Sequence, residues 1–65
     1  MRIIVNGDAR EVTAKTLENI MEELGYRGSV VATAVNGWFI AASTRAAKIL
    51  SEGDRLEVVA PMQGG

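Results

Sequence analysis

Asn-Gly occurs twice in this chain, at Asn6-Gly7 and at Asn36-Gly37, each time directly after a short apolar run. Asn and Gly tolerate the positive φ that a tight turn needs, so the chain is expected to reverse sharply at both places. Gly25 and the Ser51-Glu52-Gly53-Asp54 stretch add two further stops. What remains between the stops is a set of short segments, each too short to stand alone. They must be assembled into one small two-layer domain, because 65 residues allow no more than one.

The segments have readable periods. Met1, Ile3 and Val5 share one face of a first strand, with Arg2 and Ile4 on the other. Ala9 to Thr13 returns as a second strand, with Val12 its expected core residue and Arg10 and Glu11 marking an exposed edge. Thr16 is suited to cap a helix. Leu17, Ile20, Met21 and Leu24 then fall at the spacing of one apolar helical face, with Glu18, Glu22 and Glu23 toward water. Gly25 ends that helix. So short a helix melts alone and must lie on a sheet.

Val30 to Val35 is nearly apolar on both faces, as a central strand is. Trp38-Phe39-Ile40 follows the second turn as a short strand, and residues 41–50 read as a turn or short helix with Leu50 in the core. Arg55-Leu56-Glu57-Val58-Val59 alternates, with Leu56 and Val58 inward. Domain boundaries are therefore expected at 1–60 for the folded body and 61–65 for a flexible tail. The expected core between helix and sheet comprises Leu17, Ile20, Leu24, Val31, Val35, Leu56 and Val58. Ile4, Ala34 and Val59 are expected on the opposite sheet face as an apolar partner surface, with Arg55 and Glu57 at its margin.

Composition excludes several classes of function. There is no Cys and no His, so neither a disulfide framework nor a thiolate or imidazole metal site is expected. A reducing, cytoplasmic location fits the lack of Cys. No signal peptide is expected, and the apolar runs are far short of a membrane span. Seven basic and eight acidic residues give a net charge of -1, with the five arginines scattered as solvated surface charges and no basic stripe for nucleic acid. An enzyme is not expected. Asp8 and Asp54 belong to turns, and the helix glutamates show no pairing with a nucleophile.

The order of elements resembles the β-grasp fold of ubiquitin and its bacterial relatives. More closely, the sequence resembles the sulfur carrier proteins of thiamine biosynthesis. The resemblance rests on Val5-Asn6-Gly7, Thr16-Leu17, Val35-Asn36-Gly37, Gly53-Asp54-Arg55-Leu56-Glu57-Val58-Val59 and the terminal Gly64-Gly65. It implies an α+β domain with a mixed four- to five-stranded sheet and one main helix on one face. It also implies that the carboxylate of Gly65 is activated with ATP by an adenylating enzyme of the ubiquitin-activating type. A sulfur donor then converts the acyl-adenylate to a thiocarboxylate, which delivers sulfur to thiazole synthase. The carrier binds no cofactor and offers no catalytic side chain.

The terminal residues suit that chemistry. Gly64 and Gly65 lack a Cβ and can thread a narrow channel. With Gln63 and Met62 they span at most ~14 Å when extended. Two departures from the family pattern are Ala41-Ala42-Ser43-Thr44-Arg45, where a Pro-Arg-like stretch followed by Trp is common, and Pro61 in the tail. A sulfur carrier for another pathway, such as molybdopterin synthesis, is one alternative. A β-grasp interaction domain whose tail does no chemistry is the other.

Overall fold

In a computed structural model of the chain, which describes residues 1–60, five strands and one α-helix form two layers. The strands are β1 (Arg2–Val5), β2 (Asp8–Glu11), β3 (Ala32–Val35), β4 (Trp38–Ile40) and β5 (Arg55–Val59). The helix α1 spans Leu17–Glu23, and a 3-10 helix spans Ala42–Ala47. Sheet order is β2-β1-β5-β3-β4. The sheet is mixed: β1 and β5 run parallel at its centre, and the other neighbours are antiparallel. This is the β-grasp arrangement, with the helices on one face.

Local chemistry accounts for the elements. Both Asn-Gly pairs are two-residue hairpin turns, closing Val5 onto Asp8 and Val35 onto Trp38. Both central residues have positive φ in each, 48° and 87° at Asn6 and Gly7, 52° and 86° at Asn36 and Gly37. That is the type I′ geometry, whose twist matches the flanking strands. Thr16 caps α1, its hydroxyl accepting from the Asn19 N–H at 3.3 Å. At the other end the Gly25 N–H reaches the Glu22 carbonyl and the Tyr26 N–H reaches the Met21 carbonyl. These paired bonds close the helix in the Schellman manner.

The core lies between α1 and the inner sheet face. Ile3, Leu17, Ile20 and Leu56 are fully buried, with Val5, Val12, Met21, Val35, Leu50 and Val58 around them. Leu24 and Val31 are only half-buried, at the rim of this cluster rather than inside it as the periodicity predicts. Both sit where their element ends: Leu24 is the helix C-cap, and β3 begins one residue after Val31. Leu50 reaches the core because residues 48–50 bridge back to the helix entrance. The Leu17 N–H donates to the Lys48 carbonyl and the Leu50 N–H to the Lys15 carbonyl.

Arg45 departs from the surface role that sequence assigns it, and Glu23 keeps that role while gaining a structural one. Arg45 is half-buried: its Nε donates to Thr33 Oγ1 at 3.0 Å and its Nη2 to the Val31 carbonyl at 2.7 Å. Glu23 is exposed, yet its carboxylate accepts from the Thr13 and Ala14 N–H groups and from the Thr13 hydroxyl. It thereby ties the chain between β2 and α1 to the last turn of the helix. β5, not β3, is the central strand, although β3 is also flanked on both sides.

Candidate functional site

The two ends of β5 frame the candidate functional region. This strand lies between β1 and β3 and points the chain toward Ala60, the last described residue. Its pattern of exposure alternates, with Leu56 and Val58 in the core and Arg55, Glu57 and Val59 on the face away from α1. The four tail residues named from sequence, Met62, Gln63, Gly64 and Gly65, lie outside the described residues.

β5 is held by backbone ladders and by two side-chain amides from the hairpin turns. The Asn6 N–H donates to the Leu56 carbonyl at 2.9 Å. Beyond that point the Asn6 side chain takes over: Nδ2 donates to the Val58 carbonyl at 3.1 Å, and Oδ1 accepts from the Val58 N–H at 2.9 Å. At the start of β5, Asn36 Oδ1 accepts from the Arg55 N–H at 2.9 Å and Asn36 Nδ2 donates to Asp54 Oδ1 at 3.1 Å. The Asp54 carboxyl is held below its ordinary range, chiefly by the Ser51 N–H and then by Asn36.

The outer sheet face carries all five residues expected at a partner surface. Cross-strand register sets their order. Ile4 on β1 pairs with Arg55, Glu57 pairs with Ala34 on β3, and Val59 pairs with Ala32. Arg55 and Glu57 therefore stand on the central strand, between Ile4 and Ala34, rather than at the margin. One shallow groove is lined by Ile4, Gly7, Gly37, Arg55 and Glu57. A second, more apolar one is lined by Ala32, Ala34, Phe39, Glu57 and Val59. It continues toward the end of β5 as a concavity lined by Val30, Val31, Ala32, Val59 and Ala60. Exposed apolar side chains that adjoin in this way mark a contact surface more than isolated ones do.

Ala32 and Phe39 belong to this face and were not among the residues assigned to it from sequence. The signal was present: Ala32 is two residues from Ala34, and the Asn36-Gly37 turn places Phe39 opposite Ala34. Trp38 behaves differently. It pairs with the inward-facing Val35, so it lies on the helix side of the sheet at the free edge, and it is 77% exposed. The two neighbouring aromatic residues thus serve opposite faces.

Among the described residues there is no cluster of three or more His, Cys, Asp or Glu side chains placed to hold a metal ion, and no helix long and apolar enough to cross a membrane. What the region offers is a fixed strand that ends near Ala60 and a mixed apolar and charged face beside it.

Comparison with known proteins places this geometry. The ThiS family matches residues 3–65. The chain is 38% identical over 61 residues to the sulfur carrier protein ThiS of Thermus thermophilus, covering 94% of this chain and 95% of that one. It is 35% identical over 66 residues to a thiazole synthase of Paramagnetospirillum magneticum; there the whole chain corresponds to only 20% of the longer protein. A crystal structure of the thiamine biosynthesis protein ThiS from Geobacter metallireducens superposes with a TM-score of 0.84 at 23% identity over the full length of both chains. The solution structure from the same organism gives 0.76 at 23% identity, covering 100% of this chain and 88% of that one. At that identity the structural likeness speaks for the fold.

Proposed function

The chain belongs to the ThiS family, and from that premise we propose that it carries sulfur as a C-terminal thiocarboxylate on Gly65 for the building of a thiazole ring in thiamine biosynthesis. The observation that carries this reading is the end-to-end similarity to a sulfur carrier, together with a family match that runs through Gly64 and Gly65.

The chemistry follows from the tail. A carboxylate is a poor acyl donor because its leaving group would be oxide. A partner enzyme of the ubiquitin-activating type transfers AMP from ATP to the Gly65 carboxylate, releasing pyrophosphate. A sulfur nucleophile at the oxidation level of sulfide then attacks the acyl carbon. AMP leaves, and a thiocarboxylate remains. Thiazole synthase takes the sulfur from it. Because these steps consume ATP and reduced sulfur, the cytoplasm is their place. Throughout, this chain is a protein co-substrate rather than an enzyme.

The chain's own contribution is presentation. Ile4, Ala34 and Val59 supply apolar contact on the outer sheet face, and Arg55 and Glu57 supply charge at its centre that sets register with the partner. Met62, Gln63 and Gly64 span the distance to the partner's active site, and glycine at 64 keeps that path slim. Similarity to part of a thiazole synthase supports the thiamine branch over molybdopterin synthesis.

The test is intact mass after incubation with ATP, a matched adenylating enzyme and a sulfur source. Replacement of oxygen by sulfur adds about 16 Da by atomic arithmetic. Oxidation of Met1, Met21 or Met62 adds nearly the same, so the gain must map to Gly65 by fragmentation and must require ATP. Removal of Gly65 pulls the carboxylate back by roughly 3.5 Å. That displacement is enough to abolish the modification while folding is unchanged. A Gly65-deleted chain modified at the normal rate would overturn the mechanism.

A further inference from the structure

We infer that Asn6 is a positioning residue for the sulfur-bearing tail: its side-chain amide clamps β5 at Val58 and so sets the direction in which the tail is launched. The consequence for sulfur transfer rests on the carrier reading above; the clamp itself rests on geometry.

β1 pairs with β5 only at Ile4–Arg55 and Val5–Leu56, because the chain then turns back at Asn6-Gly7 into β2. Along β5 the polar groups of alternate residues point to opposite sides. Those of Leu56 and Val58 point toward β1, and those of Arg55 toward β3, where Asn36 meets them. Val58 is only 8% exposed and lies past the end of β1. Its N–H and C=O would have no backbone partner on that side. The Asn6 amide supplies one acceptor and one donor in the places where the next peptide of a parallel strand would have put them. No other neutral side chain of this length offers both. A carboxylate has no donor, and a hydroxyl cannot reach both groups at once.

The clamp is the last contact on the β1 side before the tail. From Val58 to Gly65 are seven residues, spanning at most ~24 Å. If the clamp opens, this end of β5 is held from the β3 side alone, through the pairing of Val59 with Ala32. The last contact on the β1 side then retreats to Leu56, while the Val59–Ala32 pairing keeps the launch point in place, so the end of β5 is free to swing on one edge. A less directed tether lowers the fraction of docked complexes in which Gly65 reaches the reactive phosphate. Asn6 is required at this position for a second reason, since its φ of 48° is one that few side chains accept.

The experiment compares three variants of the full chain. Asn6→Gly keeps the positive φ and removes the amide. Asn6→Asp keeps shape and turn chemistry but sets an acceptor against the Val58 carbonyl. Asn36→Gly removes the matching amide at the far end of β5. Steady-state thiocarboxylate formation is measured with the adenylating enzyme, ATP and sulfide, alongside amide exchange and thermal unfolding. Both Asn6 variants should lower kcat roughly tenfold with KM changed less than about twofold, and should exchange the Val58 amide at least about tenfold faster. Asn36→Gly should lower stability by a similar amount yet leave kcat within about twofold of the parent. Equal kcat losses from Asn6→Gly and Asn36→Gly would reduce Asn6 to general stabilisation and overturn the inference. Unchanged Val58 exchange in Asn6→Gly would overturn the clamp whatever the fate of the carrier chemistry.

Discussion

Thr33 and Arg45 share a hydrogen bond inside the fold: Arg45 Nε donates to Thr33 Oγ1 at 3.0 Å, while the same hydroxyl donates to the Ile40 carbonyl at 2.9 Å. Thr33 is 1% exposed and is the one buried polar side chain among the described residues. Its hydroxyl is satisfied as donor and as acceptor, so the inner face of β3 tolerates it. The bond ties the segment after β4 to the strand that pairs with β5.

Thr33→Val should therefore destabilise the domain by about 1–3 kcal/mol, because it leaves a half-buried guanidinium short of an acceptor. Replacing both residues, Thr33→Val with Arg45→Leu, should cost less than the sum of the single changes, with a coupling of roughly 0.5–3 kcal/mol. Denaturant unfolding of the four proteins measures it. Strict additivity would mean that the pair carries no energy.

Core truncation should be severe. Leu56 and Ile20 are both fully buried, one from the central strand and one from α1. Leu56→Ala or Ile20→Ala should cost ~2–5 kcal/mol, a large share of what so small a domain has. A melting temperature within a degree or two of the parent would contradict the packing.

Acid should weaken the tether between β2 and α1. The N–H groups of Ala14 and then Thr13 hold the Glu23 carboxyl below its ordinary value of 4.5. The unfolded chain then takes up the proton first as pH falls. The stability that Glu23 contributes is present above about pH 4.5 and is lost as pH falls through the lowered folded value. Glu23→Gln should lower the melting temperature near neutrality and flatten its decline below about pH 5. Parallel melting curves for parent and variant across that range would remove Glu23 from the acid response.

The outer face should be separable from the core. Val59 is 61% exposed on β5. Val59→Asp should cost less than about 1 kcal/mol of stability while weakening the complex with the adenylating enzyme about tenfold or more. Titration calorimetry beside thermal melting reads both. Undiminished binding would move the contact away from the Val59, Ala32 and Phe39 groove.

Sequence by itself determined whatever depends on a few neighbouring residues. The positive φ of Asn-Gly dictates two type I′ hairpins, so Val5 meets Asp8 and Val35 meets Trp38. Thr16, the Leu17–Ile20–Met21 spacing and Gly25 dictate a short capped helix with one apolar face. Alternation sends Leu56 and Val58 inward and Val59 outward. The resemblance to sulfur carriers was also legible in local motifs and is matched by the family assignment. Tertiary structure decided what depends on residues distant along the chain. It put β5 between β1 and β3, which turned Arg55 and Glu57 from rim residues into the centre of the outer face. It turned Arg45 inward to Thr33 and Val31, and it set Asn6 against Val58, 52 residues away. The physical reason is one of range. Turn and helix propensities act over a few bonds and leave a trace in residue types. A polar side chain's partner is chosen by whichever buried donor or acceptor the packed sheet leaves unpaired, and that group exists only once the distant strands have met.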